Sequence, residues 1–471
     1  MANPLRQLGQ YVGPHRRYAL LTLSFGVLGF SLSYAYPWII GNVVDAIAAT
    51  GLPMAQRRRT LVTMTELAAV AAVLHAIVVY GRGHFNVSLG HGVVKDIRTA
   101  LFDHVQSLSV GFFTRERTGS VLSRILHDVH EATTLLYSGA IVVGMDVVQV
   151  GIAVGLLAAI SVRLTLACLL LVPLYGIVFA KMNPSVRRLS ERMQDEFGRM
   201  SANITEQLAA QPLIKVYGAE AQQSKLFVDD LAAHHRLVLA QSHCGHLVAA
   251  FGEVLVHLGT TLVIGYGGWL ALEGQLTPGH LTRFLGYVLI LFGPVRRFAD
   301  LNITYQTSLS AIRRVFRTFE IRPTIVSPER PRASPPCRGH VRLENVRFRY
   351  DDETRAYAGV GAEGGGSVRL RHEPGAGWVL DGVSLEAKPG ERVAIVGPSG
   401  AGKTTLISLL PRLYDVTEGR VLIDGVDVRE YPLASLRSAI AIVQQDTFVF
   451  SGTIRDNLAF ARPDARRPGC P

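Results

Sequence analysis

The apolar residues of the chain are concentrated in long stretches that precede residue 300. The first stretch runs from Tyr18 to Val44 and has 27 consecutive residues without a charged side chain. A helix needs about 20 apolar residues to cross the hydrocarbon layer of a membrane. Further stretches follow at about 61–80, 135–160, 164–180, 247–272 and 281–298. The pattern predicts six membrane-spanning helices.

Four of these stretches contain an ionisable residue and are therefore less apolar than the first: Glu66, Asp146, Glu253 and Arg283. Buried helices of a soluble protein are an alternative for them. Charges at membrane depth are costly and often functional, so these residues, with His75 and His257, are candidates for a substrate path. Asp146 is the best placed by its central position. The alternative is a packing or interfacial role.

Among residues 1–280, the lysines and arginines lie mainly in the N-terminal segment and in two long loops, 81–133 and 181–242. These three segments hold 17 of them, against 4 in the loops on the other side. Because cytoplasmic loops accumulate Lys and Arg, both termini are predicted to be cytoplasmic. The run Arg57–Arg59 on the outer side does not fit this pattern. Apolar residues recur at helical spacing in both loops, which predicts that the membrane helices continue into the cytoplasm.

The composition agrees with a membrane protein. The mean hydropathy is +0.25 and charged residues make up 18% of the chain, below the ~25% of soluble domains. This excludes a disordered chain, a collagen and a small disulfide scaffold. The basic segments contribute to the net charge of +11 and fit the cytoplasmic side of a membrane protein, so no nucleic-acid partner is predicted. Four cysteines without paired spacing indicate neither a zinc site nor a disulfide framework.

A proline-rich linker separates the membrane part from a second domain. Five of the 20 residues from Ile321 to His340 are proline, which can neither continue a helix nor donate to a sheet. The predicted boundaries are 1–320 for the transmembrane domain, 321–340 for the linker and 341–471 for the second domain. Strands are predicted from Val341 (VRLENVRFRY) and from Val383 (VSLEAKPGERVAIVG), the latter ending in a buried strand at Val393–Val396.

A phosphate-binding loop follows this last strand. The sequence GPSGAGKT from Gly397 to Thr404 matches G-x-x-x-x-G-K-[ST], and a helical pattern follows from Thr405 to Leu413. The glycines let backbone N–H groups surround phosphate oxygens, and the helix N-terminus adds its positive dipole end. Lys403 would reach the β- and γ-phosphates, and the Thr404 hydroxyl would ligate Mg²⁺. The predicted nucleotide contacts are Gly397, Pro398, Ser399, Gly400, Ala401, Gly402, Lys403, Thr404 and Thr405; a Gly-rich turn is the alternative.

Six spans, a proline-containing linker and this loop together resemble a half-transporter of the ATP-binding-cassette (ABC) exporter family, of the multidrug or lipid exporter type. The resemblance covers nearly the whole chain. Tyr350 in VRFRY is similar to the aromatic residue that stacks on adenine, and Gln445 in IVQQDTFVF is similar to the Q-loop glutamine, followed by SGTIRDNLAF from Ser451. FFTRERTGSVLSRILHDV from Phe112 and QPLIKVYGAEAQ from Gln211 resemble the two inner loops of the family, whose short coupling helices meet the nucleotide domains.

The resemblance implies a multi-domain membrane protein, with an all-α six-helix transmembrane domain followed by a partial α/β P-loop nucleotide-binding domain. It implies ATP-driven export of a hydrophobic or amphiphilic substrate, lipid or drug-like, from a bacterial inner membrane. The partners would be membrane lipids and a second half-transporter, identical or different, and the cofactors ATP and Mg²⁺. Lys403 and Gln445 would be catalytic, Thr404 and Gln445 would bind the metal, and Tyr350 would contact the nucleotide.

The sequence departs from the family pattern in two places. In the first, a Gly-rich segment, 351–377, follows Tyr350 and is predicted to be a flexible surface insertion. Only 68 residues follow Lys403, whereas the signature loop, the Walker B aspartate, the glutamate that polarises water and the switch histidine lie further along in the family. A truncated cassette that hydrolyses ATP poorly is therefore expected. The alternatives are an ATP-binding regulatory or dominant-negative subunit, and a membrane scaffold with a vestigial loop.

Overall fold

The computed structural model describes residues 4–116, 118–330, 332, 338–350, 377–443 and 448–461. The chain divides into two compact units. The first comprises the described residues up to Leu108 and from Arg115 to Arg322. The second comprises Ser109–Thr114 and the described residues from Pro323 onward.

The first unit is helical. Its helices are α1 (Pro4–Val12), α2 (Arg16–Ala48), α3 (Met54–Ser107), α5 (Thr118–Ser123), α6 (Val129–Thr134), α7 (Ile141–Ile160), α8 (Val162–Leu169), α9 (Leu171–Ala209), α10 (Gln211–Tyr217), α11 (Glu220–Leu262), α12 (Gly268–Leu272) and α13 (Pro278–Glu320); the short α4 (Val110–Arg115) lies between α3 and α5 in the chain. Wider π-helical turns occur at Arg124–Asp128, Leu135–Ala140 and Val263–Gly267.

Five helical segments of the described chain are long and apolar enough to cross a membrane. They are Arg6–Ala48, Met54–Ser107, Ile141–Ile160, Val162–Ala209 and Glu220–Leu272. They correspond to the first five predicted spans, although the third begins at Ile141 and not at residue 135. The sixth predicted span, 281–298, lies within α13, a 43-residue helix that is not among the five. Three arginines, Arg283, Arg296 and Arg297, make this segment less apolar than the first predicted span.

The predicted continuation of the membrane helices is present. Helix α3 has 54 residues, which at 1.5 Å per residue is about 80 Å, far longer than a ~30 Å hydrocarbon layer requires. Helices α9 and α11 have 39 and 43 residues. The long loops seen in the sequence are therefore largely helical.

The core of the first unit lies where α7, α8, α11 and α13 meet α2. Its fully buried side chains include Leu157, Leu164, Val263 and Phe284. The hydroxyl of Tyr34 on α2 donates a hydrogen bond to the carbonyl oxygen of Gln149 on α7, at 2.9 Å. This bond satisfies a polar group that the apolar surroundings would otherwise leave unpaired.

The Arg57–Arg59 run has a partial structural explanation. The guanidinium of Arg57 donates hydrogen bonds to the carbonyl oxygens of Ala46 and Ile47, at 2.9 and 2.5 Å, in the last turn of α2. Carbonyl groups at a helix C-terminus lack helical partners and carry partial negative charge, so a cation there is stabilising. Arg57 thus caps α2, whereas Arg58 and Arg59 are exposed.

Short helices lie in both segments that resemble inner loops. In the first segment, α4 is preceded by Ser109, whose hydroxyl oxygen accepts hydrogen bonds from the N–H groups of Thr324 and Ile325, both at 3.0 Å. In the second segment, α10 ends at Gly218, which adopts a left-handed conformation with φ of 60°. This conformation is typical of the residue that terminates a helix.

The second unit contains a four-stranded sheet with the order β2-β1-β3-β4. The strands are β1 (Val341–Phe348), β2 (Leu380–Ala387), β3 (Glu418–Ile423) and β4 (Val426–Asp427), and the helices are α14 (Lys403–Leu409), α15 (Leu433–Ser438) and α16 (Ile454–Ala459). All described strand pairs are antiparallel, with Leu343 opposite Leu385 and Val421. The strand predicted from Val341 is confirmed. Leu343, Val346 and Phe348 of β1 pack with Leu409 of α14 in the core.

The prediction of a buried strand at Val393–Val396 is wrong for the described structure. The segment forms no strand, and Val393, Ile395 and Val396 are 41%, 37% and 87% exposed. A buried parallel strand needs hydrogen-bonded neighbours and covering helices, and no described strand pairs with this segment. The helix predicted over Thr405–Leu413 begins two residues earlier, at Lys403, and ends at Leu409.

Candidate nucleotide-binding site

The phosphate loop is built around glycines that no other residue can replace without strain. Gly400 and Gly402 have φ angles of 85° and 81°, in the left-handed region that L side chains avoid. A Cβ on Gly402 would lie 2.9 Å from the carbonyl oxygen of Val379 and 2.9 Å from Cδ2 of Leu380. Gly402 therefore permits a close approach between the loop and the start of β2, and α14 begins at the next residue.

Lys403 folds back over this loop. Its ammonium group donates hydrogen bonds to the carbonyl oxygens of Gly397 and Pro398, at 2.8 and 2.7 Å. These contacts hold a positive charge beside the loop backbone, where the sequence predicted phosphate oxygens. Thr404 is exposed, while Thr405 is buried. The Thr404 hydroxyl is thus accessible to a metal ion, and the side chain of Thr405 faces the protein.

Tyr350 lies next to the first turn of α14. Its hydroxyl and that of Thr405 share a hydrogen bond of 3.0 Å. The ring meets Phe348 and Tyr414 edge to face, with centroids 4.8 and 5.4 Å apart, and stays half exposed. The structure therefore brings Tyr350 to the phosphate loop, through a contact with Thr405 that the sequence did not predict.

Trp378 was also missed by the sequence reasoning. Its ring lies under the guanidinium groups of Arg347 and Arg349, at 5.7 and 5.4 Å from the centroid. The neighbouring Val379 donates its N–H to the carbonyl oxygen of Phe348, at 2.8 Å. Trp378 therefore lies beside the end of the β1–β2 pairing, next to the segment that carries Tyr350. The apolar run WVL at 378–380 was the feature of the sequence that could have predicted this strand start.

Several predicted elements lie outside the described residues. Gln445 and its neighbour Gln444 fall in 444–447, and the Gly-rich insertion falls in 351–376 apart from its last residue, Gly377. In the described part of the chain, no group of three or more His, Cys, Asp or Glu residues could hold a metal ion.

Comparison with known proteins identifies the family. Residues 20–295 match the model of the ABC transporter transmembrane region, and residues 380–467 match that of the ABC transporter domain. The protein YgaD of Bacillus subtilis (strain 168), whose name describes a multidrug export ATP-binding/permease protein, is 32% identical over 464 residues, which are 98% of this chain and 76% of that protein. The chain belongs to the ABC transporter family.

A second relative and a solved structure support the assignment of this ABC transporter. A Staphylococcus aureus (strain NCTC 8325 / PS 47) protein, also named for multidrug export ATP-binding/permease activity, is 27% identical over 460 residues, covering 97% of this chain and 75% of that protein. The structure of a bacterial Atm1-family ABC exporter with ATP bound has a TM-score of 0.71 at 25% identity, and the match covers 96% of this chain and 75% of that chain. The fold is that of an ABC exporter: a helical transmembrane domain followed by a nucleotide-binding domain with a small sheet.

The ionisable residues in the membrane helices of this ABC transporter differ in their surroundings. Asp146 is 1% exposed, whereas Glu66, Glu253 and His257 are exposed on the described surface and His75 is partly buried. Arg283 pairs with Asp45 of α2 at 2.9 Å. Asp146 and Arg283 are thus the two charged candidates that lie inside the helical unit.

Proposed function

We propose that this chain is one half of a dimeric ABC transporter that exports a hydrophobic or amphiphilic substrate, driven by ATP. The observation that carries the proposal is the phosphate loop on α14, present in the same chain as a set of membrane-length apolar helices. The names of the relatives support multidrug export. Their names favour a drug-like cargo, and the family resemblance adds lipid as the other proposed class.

The proposed nucleotide site extends from Gly397 to Thr405. The loop backbone and Lys403 hold the phosphates, and bound Mg²⁺ would screen their charge, with Thr404 as a ligand. Gln445 is proposed as a further metal ligand and, with Lys403, as a catalytic residue. Tyr350 supplies an aromatic face for the adenine, because its ring is half exposed and its hydroxyl is fixed on Thr405.

We propose that the site binds ATP and that this binding drives the transport cycle. The alternative is a regulatory subunit that binds ATP without hydrolysing it. Robust ATPase activity of the purified 471-residue chain would exclude that alternative.

The proposed setting is a bacterial inner membrane with both termini in the cytoplasm. The proposed domains are 1–320 for the membrane part, 321–340 for the linker and 341–471 for the nucleotide-binding part, in which 351–377 is an insertion. A second half-transporter, identical or different, is the proposed partner.

The experiment that tests the proposal is nucleotide binding to the purified chain in lipid nanodiscs, measured by photolabelling with an azido-ATP analogue in the presence of Mg²⁺. Lys403→Ala removes the ammonium at the loop, and labelling is expected to fall by about tenfold or more, because a lost charge-assisted contact is worth roughly 1.5–3 kcal/mol.

Lys388→Ala is the matched control, because it removes the same charge from the turn after β2, outside the loop. Labelling of this variant is expected to equal that of the unmodified chain. Equal labelling of the Lys403→Ala variant would show that the loop does not bind the nucleotide and would leave the membrane scaffold as the better interpretation.

A further inference from the structure

An ion pair joins the end of α2 to the beginning of α13. One guanidinium nitrogen of Arg283, Nη2, donates to Oδ2 of Asp45 at 2.9 Å and to Oδ1 of Asn42 at 3.1 Å. The other carboxylate oxygen of Asp45 accepts a hydrogen bond from the N–H of Gly279 at 2.8 Å. We call Asn42, Asp45, Gly279 and Arg283 the α2–α13 cluster.

The cluster is largely removed from solvent. The side chains of Arg283 and Asp45 are 14% and 28% exposed. Within the described part of the chain, Nε of Arg283 is buried without a hydrogen-bond partner. A desolvated cation with an unused donor is costly, so its bonds to Asp45 and Asn42 strongly favour the arrangement in which α2 and α13 touch.

The helix backbones approach closely at the same place. A Cβ on Gly279 would lie 2.1 Å from the carbonyl oxygen of Gly41, and a Cβ on Gly41 would lie 2.2 Å from Cγ of Arg283. Two turns further along α13, a Cβ on Gly286 would lie 2.6 Å from Cβ of Pro37. Glycines therefore allow the two helix backbones to lie in close contact here, and the α2–α13 cluster supplies the polar contacts at one end.

The α2–α13 cluster lies at one end of both helices. Helix α2 ends three residues after Asp45, and α13 begins at Pro278. At their opposite ends, α2 is preceded in the chain by the basic N-terminal segment, and α13 is followed by the second unit. The cluster therefore lies at the predicted outer end of the membrane helices, where an exported substrate would leave.

We propose that the α2–α13 cluster is a latch that keeps the outer ends of α2 and α13 together, and that its ion pair must break before that end of the membrane domain opens. Near Gly41 and Gly279 the two helices meet through glycine backbone and the polar groups of the cluster, so loss of the ion pair weakens their contact at this end. Packing further along the helices, such as that of Tyr34 against Tyr287 with ring centroids 5.7 Å apart, stays in place. The use of the latch in export rests on the proposed function; the closed contact itself does not.

The test measures the distance between spin labels on cysteines introduced at Ala48 and Gln275, which are exposed near the two helix ends. The four native cysteines are replaced by serine, and the chain is studied in nanodiscs without nucleotide. The unmodified latch is expected to give one narrow distance distribution. In Asp45→Asn and in Arg283→Gln, a longer-distance population is expected to rise by about tenfold or more, because one partner of a desolvated pair is lost.

Arg58→Gln is the matched control, because it removes an exposed positive charge at the same end of the helices; its distribution is expected to remain narrow. Thermal unfolding is measured in parallel for all variants. If Asp45→Asn and Arg283→Gln lower the unfolding temperature but keep the narrow distribution, the pair only stabilises packing and the latch is overturned. Failure of azido-ATP labelling would instead count against the proposed function, since no nucleotide enters the distance measurement.

Discussion

Gly402 combines two requirements in one residue of the candidate nucleotide site. Its backbone is left-handed, with φ of 81°, and the space where a Cβ would lie is taken by Val379 and Leu380. The first requirement is conformational and the second is steric. The energetic costs of the two can be separated by comparing Gly402 with a left-handed glycine that has open space where its Cβ would lie.

Gly402→Ala is expected to destabilise the second unit by more than the about 1–2 kcal/mol that a left-handed alanine costs, because the Cβ also displaces the start of β2. Since that displacement moves the loop itself, azido-ATP labelling should fall as well. The first effect is measured by denaturant unfolding in a background with Trp38 and Trp269 replaced by phenylalanine, so that the fluorescence reports Trp378 alone.

Gly390→Ala is the comparison, since Gly390 has φ of 78° and nothing within 4 Å of its would-be Cβ. It should cost only the conformational energy and leave labelling intact. Equal destabilisation by the two substitutions would mean that the contact with Val379 adds nothing.

The residues of the site differ in how far the sequence could predict them. Lys403 and the loop glycines could be predicted, because their chemistry is contained in eight neighbouring positions. The hydrogen bond between Tyr350 and Thr405 joins residues 55 positions apart, and the pair of Asp45 with Arg283 joins residues 238 apart. Such contacts depend on tertiary packing, which leaves no periodic trace in the chain. The role of Gln445 stays a prediction.

At the scale of elements, a bidentate ion pair fixes a π-helical turn to α13. Arg314 donates from Nε and Nη2 to the two carboxylate oxygens of Asp128, at 3.0 and 2.7 Å. Hydrogen bonding to Asp128 raises the pKa of the Arg314 guanidinium above its ordinary value, although burial opposes this. The Asp128 side chain is 7% exposed and that of Arg314 is 48% exposed, so the two partners have unequal access to water.

This inequality predicts unequal effects of removing each partner. Arg314→Ala leaves a buried carboxylate without its cation and is expected to cost about 2–3 kcal/mol of the free energy of unfolding. Asp128→Asn leaves a half-exposed guanidinium that water can solvate, and is expected to cost about 1 kcal/mol. Thermal unfolding in detergent measures both, with Arg313→Ala, exposed on the same helix, as a control without effect. A larger cost for Asp128→Asn would contradict the argument.

The elements themselves were partly predictable. Long apolar stretches predicted membrane helices, because a helix satisfies its own backbone groups within lipid, and the short α4 and α10 lie where the inner-loop resemblance placed them. The three π-helical turns were not predicted, since an extra residue in a helical turn barely changes the hydrophobic period. The strand at Val393–Val396 was predicted wrongly because an apolar run does not say whether a neighbouring strand is there to pair with it.

At the scale of the whole molecule, the distribution of Lys and Arg residues indicates the orientation of the helices in the membrane. Seventeen Lys and Arg residues lie in the N-terminal segment and the two long loops, and most of the intervening chain is apolar helix. The exception at Arg57 is accounted for by its bonds to the last turn of α2. Because that arginine is held by local contacts, it does not argue for the opposite orientation, and the loop count still favours cytoplasmic termini.

This topology predicts which residues a membrane-impermeant maleimide can reach in intact bacteria that express the chain with its native cysteines replaced by serine. Thr50→Cys lies in the exposed turn after α2 and should be labelled in intact cells. Gln222→Cys lies on an exposed face near the start of α11 and should be labelled only after the membrane is permeabilised, because the basic residues around it favour the cytoplasm. Labelling of both variants in detergent controls for thiol reactivity. Labelling of Gln222→Cys but not of Thr50→Cys in intact cells would reverse the topology, and would move the α2–α13 cluster to the cytoplasmic side, where it could not act as an exit latch.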